Sequence, residues 1–137
     1  MSWDAIAMDF PANAKSVKEI PDNFKPRSLG NRTFLISKIK EIVPYANFSD
    51  PSWGIVEDDG WSIELSLGKE ENCESVAFHV RGGEAAIGVV AGLLDHLGIR
   101  AVDCQTSEFF VADTSAIESF RKWRAFRDQI VQSYGQE

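Results

Sequence analysis

The sequence predicts one α+β domain of two layers, a mostly antiparallel mixed sheet with two or three helices packed on one face. Alternating apolar and polar residues predict several strands, and two segments with helical apolar spacing lie between them. Asp58-Asp59-Gly60 separates two extended runs, which is a typical hairpin signal. A length of 137 residues suits a single domain over 1–137. Within it we predict an α+β core over 1–112 and a C-terminal helix over 113–137.

The first third of the chain predicts a strand, a long connection and a helix. A strand over 2–10 has two faces, one bulky with Ile6, Met8 and Phe10 and one small with Ala5 and Ala7. Residues 11–31 contain three of the five prolines and form the connection. Asn31 is a suitable N-cap for a helix over 32–43, which Pro44 ends.

The rest of the chain predicts a hairpin, a buried helix, two short strands and a last helix. The second hairpin strand and a strand over 75–81 each place their larger apolar residues on one face: Trp61, Ile63, Leu65, Leu67, Val76, Phe78 and Val80. The helix over 84–97 is apolar almost all round, so we expect it to be the most buried helix. Short strands follow over 99–104 and 108–112. Ser115-x-x-Glu118 is a capping box that opens the last helix.

Composition restricts the partners and the compartment. A net charge of −7 disfavours nucleic acid and anionic membranes and favours a basic protein partner. The longest apolar stretch, residues 85–94, is too short to span a membrane, and the N-terminus lacks the pattern of a signal peptide. Two cysteines, Cys73 in a charged loop and Cys104 in an apolar stretch, do not form a disulfide framework. We therefore expect reduced thiols and a cytoplasmic location.

Polar residues share the second face of the predicted strands. Alternation places Glu64 on the same face as His79 and Arg81. Two registers of the pairing are possible. If the residue numbers of paired positions sum to 143, Glu64 lies opposite His79. If they sum to 145, Glu64 lies opposite Arg81. The pair is a cross-strand ion pair, part of a recognition surface, or a catalytic pair that lacks a convincing nucleophile. A ligand-binding pocket at this face would also contain Asp103.

Two further motifs are candidate sites. The Gly82-Gly83 turn is typical of a tight connection from a strand to a helix, and its spacing to Gly88 matches no dinucleotide fingerprint. An alternative is that Arg81 and the amides of the turn hold a small anion. His96 lies near the end of its helix and suits the helix dipole. No spacing of His, Cys, Asp and Glu suggests a metal site, and we expect no cofactor.

The predicted last helix concentrates basic and aromatic residues. Its basic residues occupy a span of seven positions, with two aromatic residues among them: Arg121, Lys122, Trp123, Arg124, Phe126 and Arg127. One interpretation is a solvated helix face that pairs with acids of the same domain. The other is a contact with a partner or with a second copy of the chain, because Trp and Arg are enriched in binding hot spots. For the second interpretation the contact residues are Arg121, Trp123, Arg124 and Arg127.

Four segments carry a resemblance to a known family. They are "EIPDNFKPRSLGNR" (19–32), "DPSWG…DGWSIELSLG" (50–68), "AFHVRGG" (77–83) and "RAVDCQTSEFF" (100–110). These motifs resemble a family of small bacterial proteins without an assigned function, and the resemblance covers about residues 1–112. It implies no catalytic residue. In size and acidity the chain is also similar in kind to immunity proteins that block bacterial toxins.

From these observations we expect a non-enzymatic, cytoplasmic bacterial protein that binds another protein, such as an immunity protein neutralising a basic toxin domain. Trp3 and Trp53 are expected to be exposed on its surface. One alternative is a binder of a small molecule or anion, or a small enzyme, that uses Glu64, His79 and Arg81. Another is a homodimer with a purely structural role.

Overall fold

The structure is a computed structural model that describes residues 3–82 and 84–111. In chain order its strands and helices are β1 (Trp3–Met8), a short 3₁₀ helix (Val17–Glu19), α1 (Arg32–Ile42), β2 (Asn47–Asp50), β3 (Trp53–Asp58), β4 (Trp61–Ser66), β5 (Val76–Arg81), α2 (Glu84–Leu97), β6 (Arg100–Asp103) and β7 (Glu108–Phe109). The predicted last helix and its four contact residues, Arg121, Trp123, Arg124 and Arg127, lie outside the described residues.

The strands form one sheet in the order β2-β3-β4-β5-β1-β6-β7. Every pairing among the described strands is antiparallel, which confirms an α+β domain with a mostly antiparallel sheet. The predicted mixed character is wrong for these strands, since none of them pairs in parallel. The first strand lies inside the sheet, between β5 and β6. None of the described helices is long and apolar enough to cross a membrane.

Local sequence explains the β3–β4 hairpin. Asp58 pairs with Trp61, and Gly60 in the turn between them has a φ of 82°, a conformation that glycine adopts without steric cost. The predicted hairpin is therefore confirmed. Strand β2 was not predicted, because its four residues are mostly polar and exposed. It forms one edge of the sheet, and its polar side chains fold back onto neighbouring backbone N–H groups.

One face of the sheet carries the core. Its buried side chains are those predicted from alternation on β4 and β5, together with Val56 of β3. They form a single cluster with the buried residues of α1 (Leu35, Ile39, Ile42) and of α2 (Ala86, Val89, Val90, Leu93, Leu94). The helix α2 contacts both β4 and β5 and also packs on α1. As predicted, α2 buries more side chains than α1.

Strand β1 presents its small face to the core. Ala5 and Ala7 are buried, as is Ala101 on the neighbouring β6, whereas the bulkier Ile6 points to the other face and is 39 % exposed. These three alanines belong to the same cluster of buried residues as the apolar side chains of β4, β5 and the helices. Side-chain size alone is therefore a poor guide to the buried face of this strand.

The segment before α1 is held by the loop between β4 and β5. The Asn31 side chain accepts a hydrogen bond from the Phe34 N–H at 2.8 Å, which confirms the predicted cap. Leu29 and Gly30 exchange backbone hydrogen bonds with Cys73, at 2.6 and 3.0 Å. This pairing draws Cys73 into the core although its loop is charged, while Cys104 is exposed; both are free thiols.

The connection after β1 is held by Arg100. Its guanidinium donates hydrogen bonds of 2.8 Å to the carbonyls of Pro11 and Ala14. It also lies 3.6 Å from the centre of the Phe109 ring, which contacts Phe10 edge-on. One arginine thus fixes this loop against the last two strands of the sheet.

Candidate functional site

The face of the sheet opposite the core, called the open face below, carries two rows of side chains. Pairing across the strands defines the first row as Ile55, Glu64, His79 and Asp4. The second row is Trp53, Ser66, Ala77, Ile6 and Val102. Trp53 and Ile6 are among the exposed large hydrophobic residues, at 36 % and 39 %. The expected exposure of Trp53 is confirmed, but Trp3 is half-buried and packs on Phe110.

His79 is fixed between two side chains on the open face. Its Nδ1 lies 2.9 Å from a carboxylate oxygen of Asp4 on β1. Its ring stacks on the indole of Trp53, with 5.5 Å between ring centres and 17° between planes. A carboxylate on one side and an aromatic ring on the other restrict the imidazole to a single orientation.

The structure resolves the register that the sequence left open. Glu64 lies opposite His79 and Ser62 lies opposite Arg81, as in the register that sums to 143. The prediction that Glu64 shares a face with both residues is confirmed. The expected ion pair is not formed, however, because His79 binds Asp4 of β1 on its other side.

Asp103 does not join this group. It pairs with Ala5, whose side chain is buried, so alternation directs Asp103 to the opposite face of the sheet. There its carboxylate accepts a hydrogen bond of 2.8 Å from the Gln105 N–H in the turn before β7. The prediction that placed Asp103 in a pocket with Glu64 and His79 is therefore wrong.

The arrangement of Cys104, Asp4 and His79 does not suit nucleophilic catalysis. A cysteine nucleophile needs an imidazole beside it, with the acid behind the imidazole. Here Asp4 lies on β1, between His79 on β5 and Cys104 next to β6, because the Cys104 N–H donates a hydrogen bond to the Asp4 carbonyl. The pKa of the Cys104 thiol is raised by burial and by the nearby carboxylates of Asp4 and Asp103, which disfavours the thiolate.

The Gly82-Gly83 turn has a steric explanation at its first residue. Gly82 has a φ of 105°, and an added Cβ would lie 2.5 Å from the Cβ of Trp61 and would also meet the Gly60 carbonyl oxygen. Gly82 therefore allows the end of β5 to approach the β3–β4 hairpin closely. Gly83 lies outside the described residues, and anion binding at this turn stays a prediction.

Two concave regions formed by described residues lie away from the open face. A cavity of about 100 Å³ between α1 and α2 is lined by apolar residues, Lys38 and His96. A wider depression of about 500 Å³ is formed by the loop over 67–75.

Beside the first cavity, Glu41 contacts both Lys38 and His96 at 3.3 Å. The hydrogen bond from Lys38, followed by that from His96, lowers the pKa of the Glu41 carboxyl. His96 thus pairs with an acid of α1.

In the part of the chain that the structure describes, no three His, Cys, Asp or Glu side chains are grouped so that they could hold a metal ion.

Comparison with protein-family models, with curated proteins and with solved structures finds no match to this chain. The resemblance to a family of small bacterial proteins therefore stays a prediction.

Sequence reasoning missed two residues of this site. Asp4 was not considered because its pairing with β5 joins distant parts of the chain. Ile6 was placed on the bulky face of its strand, with no signal that this face is the open one. The residues that the structure brings together are thus Asp4, Ile6, Trp53, Glu64 and His79.

Proposed function

We propose that this protein is a non-enzymatic binding protein whose open face binds a basic protein. The observation that carries the proposal is the exposure of Trp53 and Ile6 on a regular, hydrogen-bonded sheet face beside carboxylates. An exposed tryptophan on rigid backbone is the kind of anchor found at the centre of protein interfaces. Apolar anchors ringed by polar groups are typical of such interfaces.

Charge gives the class of partner. The chain carries a net charge of −7, and the open face carries the acids Asp4, Glu57 and Glu64 against the basic residues Arg81 and Arg100. Opposite charge on a partner would speed association and disfavour acidic competitors. A basic protein fits this surface better than an acidic one.

The geometry of the polar groups favours binding over catalysis. The pairing of His79 with Asp4 fixes an imidazole, but the cysteine nearest to it lies beyond the acid and carries a raised thiol pKa. Groups arranged in this order can accept hydrogen bonds from a partner. They do not supply the adjacent nucleophile and base that acyl transfer needs.

An immunity role is one form of this proposal. The partner would then be a basic toxin domain, and binding would cover its active surface. A cytoplasmic location belongs to the same proposal, and the free thiols of Cys73 and Cys104 favour it. A neighbouring gene for a long protein with a toxin-like C-terminus would support this form of the proposal.

The test compares capture by the intact chain and by surface variants. Immobilised wild-type protein is expected to retain a basic protein from a lysate of the native organism, and added salt should release it because charges drive association. Trp53→Ser and Ile6→Lys should lose that protein. Phe34→Ser is the matched control, since Phe34 is also an exposed large hydrophobic residue but belongs to α1. Equal capture by all variants, or no specific capture by the wild type, would contradict the proposal.

A further inference from the structure

The open face around Trp53 offers an aromatic surface that is already oriented. Its indole stacks on the His79 ring yet keeps more than a third of its surface exposed, at 36 %. The His79 ring is held in turn by the Asp4 carboxylate at 2.9 Å. A flat group that stacks on this indole would meet a ring that needs no further ordering, and such pre-organisation favours binding.

Glu64 lies next to this aromatic surface. It is opposite His79, and Trp53 is its diagonal neighbour on β3, a separation that long side chains bridge. No described residue donates a hydrogen bond to its carboxylate or forms an ion pair with it. Arg81, one pair further along β5, is exposed and does not pair with it. A half-buried carboxylate without a donor is a strong acceptor for a ligand.

His79 supplies a second acceptor. The carboxylate of Asp4 lies at Nδ1, so of the two tautomers of a neutral imidazole this contact favours the one with the hydrogen on Nδ1. In this tautomer Nε2 has a free lone pair and accepts a hydrogen bond. The same patch of sheet therefore presents an aromatic surface, a carboxylate and an imidazole acceptor.

We propose that Trp53, Glu64 and His79 form a recognition site for an arginine side chain of the basic protein. The inference rests on the function proposed above and specifies which side chain of the basic partner binds at the open face. A guanidinium is planar, stacks on aromatic rings and carries five N–H donors in a fixed fork, so it matches all three groups at once. A lysine ammonium is compact and strongly hydrated and makes neither the stack nor the paired hydrogen bonds as well.

The test uses two short peptides of equal charge, acetyl-Gly-Arg-Gly-amide and acetyl-Gly-Lys-Gly-amide, and the full chain. Amide and indole N–H shifts are followed by NMR during titration. The arginine peptide should shift the Trp53 indole signal and saturate, with an affinity about fivefold or more above that of the lysine peptide. Equal affinity of the two peptides, or the absence of a saturable shift, would overturn the assignment.

Two variants separate the site from general charge attraction. Glu64→Gln should weaken the arginine peptide about threefold or more, because it removes the ionic acceptor. Asp95→Asn removes the same charge from the exposed surface of α2, on the core side of the sheet, and should change affinity less than about twofold, because salt screens charges this far from the open face. Equal effects of both variants would mean that charge alone is recognised, and the arginine site would be wrong.

The two proposals fail in different ways. If Trp53→Ser abolishes capture of the basic protein while the peptides bind equally, the binding function stands and the arginine site falls. If the arginine peptide is preferred and Glu64→Gln removes that preference, but the intact chain captures no protein, the site stands and its assigned partner is wrong. Circular dichroism of each variant confirms that the sheet is intact.

Discussion

Replacing Gly82 with alanine tests the close approach between the end of β5 and the β3–β4 hairpin. An alanine Cβ would lie 2.5 Å from the Trp61 Cβ and 2.6 Å from its Cα, distances that real Cβ atoms do not show. The residue also has a φ of 105°, which L side chains rarely adopt. The contacts are with backbone and Cβ atoms, so rotation of a side chain does not relieve them. The hairpin itself must move.

The expected cost has two parts. The unfavourable φ contributes about 1–2 kcal/mol, and forcing an extra methyl group into packed surroundings contributes about 1–3 kcal/mol. Gly60 separates them, because it has a φ of 82° but nothing within 4 Å of its would-be Cβ. Gly60→Ala should therefore lose about 1–2 kcal/mol, and Gly82→Ala about 2–5 kcal/mol as the sum of both parts. The larger loss is a sizeable fraction of the stability of a small domain.

Urea unfolding at neutral pH, followed by tryptophan fluorescence and circular dichroism, measures both losses. The m-value should be the same in wild type and both variants, so that midpoints report stability alone. Gly68→Ala serves as a second control, with a φ of 80° and open space around its Cβ position. If Gly82→Ala is no more destabilising than Gly60→Ala and Gly68→Ala, the close approach carries no energetic weight and the steric explanation of this turn is wrong.

Three further predictions concern the core, the loop after β1 and the thiols. Leu94→Ala should lower the free energy of unfolding by about 2–5 kcal/mol, because it opens a cavity under α2; a loss well below about 1 kcal/mol would show that this helix is peripheral. Arg100→Ala should speed amide hydrogen exchange in the loop after β1, whereas Arg27→Ala, at an exposed ion pair, should not; equal exchange in both would contradict the anchoring role. Cys104 should react with a thiol reagent in the native protein and Cys73 only after unfolding, because Cys73 is buried. Partial desolvation and the nearby carboxylates of Asp4 and Asp103 raise the pKa of the exposed Cys104 thiol, so its rate should rise steadily as the pH is raised above neutral, and a rate independent of pH would refute this.

Local signals predicted the parts of the fold that local physics decides. The β3–β4 hairpin follows from Asp58-Asp59-Gly60, since a turn and two alternating runs fix each other over a few residues. The start of α1 follows from the Asn31 cap. Strand β2 was not predicted, because an edge strand with polar, exposed residues shows no alternation of apolar and polar residues.

The composition of the site depended on long-range pairing, which the sequence does not encode in any short pattern. Alternation correctly placed Glu64 and His79 on one face, but the partner of His79 is Asp4, brought in by β1. Two registers kept the core face apolar, so only the structure distinguishes Ser62 from Glu64 as the residue opposite Arg81.

The inner position of β1 has a consequence for how the chain folds. Trp3 pairs with Val80 and Ala5 with Asp103, so both edges of this strand find their partners only when the later half of the chain is available. Closing such long loops is entropically costly, and folds dominated by distant contacts fold slowly. During synthesis the β3–β4 hairpin can form early, whereas the backbone N–H and C=O groups on both sides of β1 have no strand partner at that stage. We therefore expect insertion of β1 between β5 and β6 to be slow, and until it occurs the nascent chain exposes unpaired strand edges, which favour aggregation.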